Sequence, residues 1–252
     1  MRPAWSGLAG AAGMLTDAQL LRYNRQLLLH DFDIAGQERL QRARVLVVGL
    51  GGLGCPAALY LAAAGVGALV LIDGDAVELS NLQRQIAHTE ADIGTNKARS
   101  KLQVIEQQLR EPEMAAVLAG VDLVLDATDN YPVRFALNRA CIAAGVPLVS
   151  AAAVRSEGQL AVFDPARGGP CYACLYSEGS ADTALSCSES GVLAPLVGVL
   201  GSLQAMEALK ILSGFGDPLR GQLLAIDLRS MDFRQLQLPV REDCPACAHL
   251  RG

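Results

Sequence analysis

The sequence predicts an α/β protein with a doubly wound, mostly parallel, Rossmann-like sheet, a C-terminal antiparallel strand region and a four-cysteine zinc clip. Three observations predict it. A short apolar β-branched run, Val45–Val48, passes at once into Gly49-Leu50-Gly51-Gly52-Leu53-Gly54 and then into a helical stretch. A second apolar run, Leu69–Ile72, ends at Asp73. Two Cys-x-x-Cys pairs, Cys171/Cys174 and Cys244/Cys247, lie far apart along the chain. Strand, Gly-x-Gly-x-x-Gly turn, helix and a second strand closed by an acid make a βαβ unit of the dinucleotide-binding type.

The 252 residues are 51% hydrophobic and 19% charged, enough for a sizeable core in one large domain, with or without a small appendage. The formal charge of −5 argues against a nucleic-acid partner, because phosphate binding needs a basic surface. Val45 to Ile72 carries no charge, yet its glycines at 49, 51, 52, 54, 65 and 67 divide it. Each piece is shorter than the about 20 apolar residues of a membrane span. Residues 1–14 read as a flexible extension without the aliphatic segment of a signal peptide. The expected compartment is therefore the reducing cytoplasm, where seven cysteines favour metal binding or reactivity over disulfides.

Taken in order, Asp17–Arg42 reads as helical. The βαβ unit follows, its helix running from Cys55 to Ala64 with Pro56 tolerated in the first turn. Asn96 reads as the N-cap of a helix from Lys97 to about Arg110, which Pro112 ends. A short helix over Glu113–Gly120 leads to a strand at Leu123–Leu125, which runs into Asp126-Ala127-Thr128-Asp129-Asn130. No β-like run separates the Lys97 helix from Leu123, so the third, edge strand of a doubly wound sheet is missing from the pattern. Its loss exposes a sheet edge. A helix over Pro132–Ala144, a strand at Val146–Ser150 and a strand pair within 151–164 come next. Residues 165–191 read as loop, Pro195–Leu212 as an apolar helix, and Leu223–Leu228 with Phe233–Leu238 as two final strands.

The two Cys-x-x-Cys pairs can supply four thiolates to one tetrahedral zinc, a closed and therefore structural site; core or redox cysteines are the alternative. Cys187, unpaired in a polar loop, reads either as a reactive thiol or as an exposed bystander. Cys55 and Cys141 read as small core residues. Around the βαβ unit, Asp73, Asp75, Asn81, Arg84, Lys97 and Asp129 all fall near the C-terminal ends of strands, where open α/β sheets bind ligands. Two cations, an amide and carboxylates in one crevice suit a triphosphate with Mg²⁺, the cations on phosphates and a carboxylate on the metal.

These segments carry a resemblance. Arg22-Tyr23-Asn24-Arg25-Gln26, the glycine turn, Asp73-Gly74-Asp75, Ser80-Asn81-Leu82-Gln83-Arg84-Gln85, Thr128-Asp129-Asn130, the segment around Cys171 and Cys174, Cys187, Gly201–Glu207 and the final cysteine pair resemble the MoeB/ThiF/HesA family, the bacterial relatives of ubiquitin-activating enzymes. The resemblance covers the chain from about Leu15 onward. It implies a single adenylyltransferase domain over 15–252, with a nucleotide part at about 43–150 and a carrier-binding and zinc part at about 151–252.

It also implies a reaction: ATP-dependent adenylation of the C-terminal glycine of a small ubiquitin-like sulfur carrier. Molybdenum cofactor biosynthesis is the first expectation; thiamine and other sulfur pathways use the same chemistry. Gly51 and Gly52 would line the ATP crevice, with Asp73 at the ribose, Ser80, Asn81, Leu82, Gln83 and Arg84 along the nucleotide, and Asp75 and Asn130 beside it. Arg84 and Lys97 would hold phosphates and Asp129 Mg²⁺. Arg25 would reach the partner subunit's ATP in a homodimer, Cys187 would be the family's thiol, and the zinc would be structural. Two other readings remain: a nicotinamide or flavin oxidoreductase on the same fold, and a zinc-stabilised scaffold that binds a carrier without activating it.

Overall fold

The computed structural model describes residues 14–99, 111–178 and 190–251. Their strands form one seven-stranded sheet: β1 Arg44–Val48, β2 Ala68–Ile72, β3 Leu123–Asp126, β4 Leu148–Val154, β5 Glu157–Phe163, β6 Gln222–Asp227 and β7 Asp232–Gln237, in the order β2-β1-β3-β4-β5-β6-β7. β1 to β4 pair in parallel, and β4 to β7 continue antiparallel. The doubly wound part and the antiparallel region are thus one sheet, with β4 shared between them. Among the described residues no strand lies between β2 and β3, and β2 is the edge. Residues 100–110, which hold most of the helix expected from Lys97, lie outside the described residues, as do 1–13.

The parallel strands read as apolar runs because helices cover both of their faces. Alternate residues take opposite sides. Val45, Val47, Leu123 and Leu125 pack under α4 (Gly54–Ala64) and a long late helix, Ala194–Ser213. Leu46, Val48 and Val124 pack under α5 (Glu111–Leu118) and α6 (Tyr131–Ala144). Gly65 and Gly145 end α4 and α6 in the left-handed conformation, as their positions suggested.

Two expectations need correction. The helix expected over 17–42 is three: α1 Asp17–Arg22, α2 Asn24–Leu27 and α3 Asp33–Arg42. Thr16 caps α1 in a capping box with Gln19. Asp33 takes φ of 51°, which no continuous right-handed helix accommodates, and its carboxylate accepts the Ile34 N–H. The strand expected at 146–150 starts only after Pro147 and runs to Val154. Ala151 and Ala153, inside it, are buried where the late helix crosses β4 and β5. The crossing is close: a Cβ on the neighbouring Gly158 would lie 2.4 Å from Leu200 Cδ1. The small side chains at 151 and 153 are therefore clearance for a helix.

That helix follows a short one, α7 (Tyr172–Leu175), and is α8 here. By length and composition α8 could cross a membrane, but half of its apolar window is buried inside the protein. Its buried residues include Gln204 and Glu207, whose Oε2 accepts the Leu219 N–H. It is the central helix of one layer of the core.

Candidate active site

A cavity of about 800 Å³ opens at the C-terminal ends of β1, β2 and β3. Gly51, Gly52, Asp73, Asp75 and Asn81 line it, together with Arg84, Lys97, Asp129 and Asn130. Ser80, Leu82 and Gln83, expected along the same wall, are not in its lining; Ser80 and Gln83 are exposed. Arg25 is exposed on α2 and does not line the cavity of its own chain. Cys187 lies outside the described residues.

The glycine turn is seated on the core. Gly49 has φ of 90°, and a Cβ there would strike the Ala127 carbonyl oxygen at 2.7 Å. A Cβ on Gly54 would sit 1.8 Å from the Gly49 carbonyl oxygen, and one on Gly52 2.6 Å from Val197 Cγ2. Gly51 differs: a Cβ there would meet nothing nearer than Gln85 Nε2 at 3.7 Å. Protein packing does not require that glycine. Its missing side chain leaves open the space where a ligand's backbone-bonded group would sit.

Asp73 ties the site together. Its Oδ2 accepts the Leu50 N–H at 2.6 Å, its Oδ1 accepts the Asp75 N–H at 2.8 Å, and Lys97 Nζ stands 4.0 Å away. Lys97, buried, donates to Asp75 Oδ2 at 2.8 Å. Arg84 donates to the Ser80 carbonyl and to Asn81 Oδ1, both at 3.1 Å. Ser80 and Asn81 thus aim the guanidinium, which explains their place in the motif even though Ser80 is outside the lining. Asp129 is exposed and has no hydrogen bond or ion pair among the described residues. Asn130 caps α6 by accepting the Val133 N–H at 3.2 Å. The positive end of the α6 dipole therefore faces the cavity.

Sequence reasoning missed what holds the Asp129 loop. Asp126 is fully buried; it accepts from Thr128 Oγ1 at 2.7 Å and Ser150 Oγ at 2.6 Å, and Arg134 Nε stands at 3.7 Å. Arg134 lines the cavity and donates to the carbonyls of Thr128 and Ala151. Gln204, from α8, donates to the Asp126 carbonyl at 2.8 Å. Burial pulls against the Arg134 charge, but Asp126, Tyr172 and Tyr131 together outweigh it and raise the pKa above the ordinary value. The signal in the sequence was an arginine among the apolar residues of α6.

The two cysteine pairs meet on the α6 face of the sheet. All four sulfur atoms lie within 4.8 Å of one another. Cys171–Cys244 and Cys174–Cys247 are 3.6 Å apart, and Cys171–Cys174 is 3.9 Å. A tetrahedron of about 2.3 Å Zn–S bonds has edges of about 3.8 Å, so the four thiols fit a zinc ion. Burial works to push the Cys244 thiol up, but the N–H groups of Ala246 and Cys247 turn toward it and bring it down to about 7. Cys55 and Cys141 are buried, as expected of core residues.

A second cavity, of about 570 Å³, opens at the opposite end of the sheet between Arg39, Arg167, Arg220 and Asp164. Arg220 bonds Asp164 at 2.9 Å, and Arg39 bonds the Ser213 carbonyl at the end of α8. Cations at helix C-termini are stabilising in themselves, so this cluster has a structural explanation.

The ThiF family model matches residues 23–246. The chain is 50% identical over 245 residues to the molybdopterin-synthase adenylyltransferase of Escherichia coli (strain K12), covering 92% of this chain and 98% of that one. It is 45% identical over 254 residues to the adenylyltransferase and sulfurtransferase MOCS3 of Mus musculus, covering 95% of this chain and 55% of that one. Among solved structures, that of E. coli MccB with ATP superposes with a TM-score of 0.75 at 23% identity, over 90% of this chain and 74% of that one. At that identity the likeness concerns the fold.

Proposed function

The chain belongs to the ThiF family, and from that premise we propose that it uses ATP to adenylate the C-terminal glycine of a small ubiquitin-like sulfur carrier in molybdenum cofactor biosynthesis. The observation that carries this reading is the crevice itself. In it the Gly51-Gly52 turn, the cations Arg84 and Lys97 and the exposed carboxylate of Asp129 meet at the strand ends. The names of the relatives, and coverage of 98% of the E. coli enzyme, support the choice of reaction and pathway.

The chemistry needs positioning more than acid–base catalysis. A glycine carboxylate is already ionised at pH 7, so no general base is required. Its oxygen attacks the α-phosphorus in line; the bond to the bridging oxygen breaks and pyrophosphate leaves, giving an acyl-adenylate. Charge grows on the α-phosphate oxygens and the leaving group, where Arg84 and Lys97 stabilise it. Lys97 turns from Asp75 toward phosphate when the nucleotide binds. Asp129 would hold Mg²⁺, since an exposed carboxylate is the hard oxygen ligand such an ion takes, and the ion would supply further charge neutralisation. The four cysteines would hold zinc as a structural clip between the segment after β5 and the C-terminal tail.

Residues 15–252 then act as one adenylyltransferase unit in the cytoplasm, with the nucleotide part at about 43–150. Arg25, exposed and away from its own cavity, serves the partner's nucleotide in a homodimer. Cys187 is the thiol for any covalent link with the carrier and is dispensable for adenylation.

The test mixes the protein with ATP, Mg²⁺ and candidate carriers, and reads the acyl-adenylate by intact mass. Asp129→Ala abolishes it and Cys187→Ala leaves it largely intact. Loss of adenylation in Cys187→Ala with zinc content unchanged would overturn the mechanism.

A further inference from the structure

Three side chains hold Leu50 from beneath: two act on the carbonyl of the Leu50–Gly51 peptide and one on the N–H of the peptide before it. The Leu50 N–H donates to Asp73 Oδ2 at 2.6 Å. The Leu50 carbonyl oxygen is met by Cys55 Sγ at 3.1 Å and by His88 Nε2 at 3.2 Å. Cys55 and His88 are themselves 3.6 Å apart. All three side chains are buried. They come from separate places: the end of β2, the first turn of α4, and the segment past Arg84.

A trans peptide places its C=O and N–H on opposite sides, and the described chain has no cis bond. A Leu50 carbonyl drawn into the core therefore turns the Gly51 N–H away from the core, toward the crevice that Gly51 lines. The next peptide is fixed as well, because the Gly51 carbonyl accepts the Cys55 N–H at 3.0 Å. Without inward donors the first peptide could flip, presenting a carbonyl oxygen to the crevice. That orientation repels a phosphate. Burial of a small thiol and an imidazole would follow from core packing alone; their convergence on one carbonyl of the glycine turn would not.

We propose that His88 and Cys55 are positioning residues for the nucleotide: by holding the Leu50 carbonyl they aim the Gly51 N–H at a phosphate oxygen of ATP. The inference rests on the reading that this crevice binds ATP. With its proton on Nε2, His88 is the stronger of the two donors and Cys55 the weaker.

The experiment measures the ATP dissociation constant by calorimetry, and the KM values for ATP and for the carrier in pyrophosphate release. The variants are His88→Ala, His88→Asn, His88→Gln and the double variant His88→Ala with Cys55→Ala. His88→Ala weakens ATP about tenfold, the scale of one hydrogen bond to an anion, and leaves the carrier KM unchanged. The double variant loses more. His88→Gln restores affinity to within about threefold of the parent, because its amide nitrogen reaches the place of Nε2; His88→Asn, one carbon shorter, does not. A merely structural role lowers the active fraction without this split between the two KM values or the Gln rescue. If His88→Ala does not fold, the contrast between Asn and Gln decides. Equal ATP affinity in the folded variants and the parent overturns the inference alone. A parent protein that binds no ATP overturns the functional reading and this inference with it.

Discussion

Gly52→Ala probes the seat of the glycine turn on α8. The added methyl would lie 2.6 Å from Val197 Cγ2 and 3.0 Å from Val197 Cβ. Carbon atoms pack at roughly 3.5–4.0 Å, so a gap of about 1 Å must open. Val197 is buried among Leu53, Leu196 and Leu200, and a β-branched side chain on a helix has one strongly preferred rotamer. It cannot swing aside, so the turn or the helix moves. Overpacking of this kind costs about 1–3 kcal/mol, which for a chain of this size lowers Tm by roughly 2–12 °C. A displaced turn also weakens ATP binding. Val197→Ala removes the nearer contact, so in that background Gly52→Ala becomes cheaper by about 1–2 kcal/mol, a coupling that a double-mutant cycle resolves. Relief stays partial because the 3.0 Å contact to Cβ remains. Urea unfolding and ATP calorimetry on the four proteins measure both effects. Strictly additive free energies would refute the argument, since the clash would then not be with Val197.

Three other predictions follow from the buried groups. Arg134→Ala strands Asp126 in the core, and urea unfolding should record a loss of about 3–5 kcal/mol. Wild-type protein purified without chelator should carry about one zinc per chain by atomic emission, the capacity of one four-thiolate site; Cys244→Ser should lose it, and a strong chelator should lower the parent's Tm. Zinc-free protein with an unchanged Tm would contradict the clip. Burial pushes the Cys55 thiol from its ordinary 9.0 up to about 11. The folded state then keeps a proton that the unfolded chain loses, so stability is full below pH 9 and falls as pH rises toward 11, by about 2–3 kcal/mol. Cys55→Ala should flatten that part of the stability profile.

Local patterns were legible because their causes are local. Val45–Val48 and Leu69–Ile72 are strands with a glycine turn and a helix between them, and the spacing alone placed them. Glycines after α4, α6 and α8 end those helices with positive φ in each case. The interval before Leu123 lacks an apolar run, and among the described residues no strand from it pairs with β2, which lies at the sheet edge. The break of the 17–42 helix was not legible, because nothing in its polar pattern marks Asp33 for a left-handed φ. Nor was Arg134 identified as the holder of the Asp129 loop. An arginine in a helix reads as surface until its partner, Asp126, is brought beside it by β3.

The sequence by itself determined the βαβ unit, its glycine turn, the cysteine pairs and most of the charged groups of the crevice. Each of these depends on residue type and on spacing within a few turns or strands. Tertiary structure decided which of those groups meet. It brought the cysteine pairs within 4.8 Å across the chain, placed Asp73 under Leu50 and Lys97 against Asp75, and left Arg25 outside its own cavity. It also set Cys55 and His88 beneath the glycine turn. Those contacts join residues far apart in sequence. They form only once the apolar faces of the sheet and of α4 and α8 are buried together, and burial depends on the whole chain rather than on any local pattern.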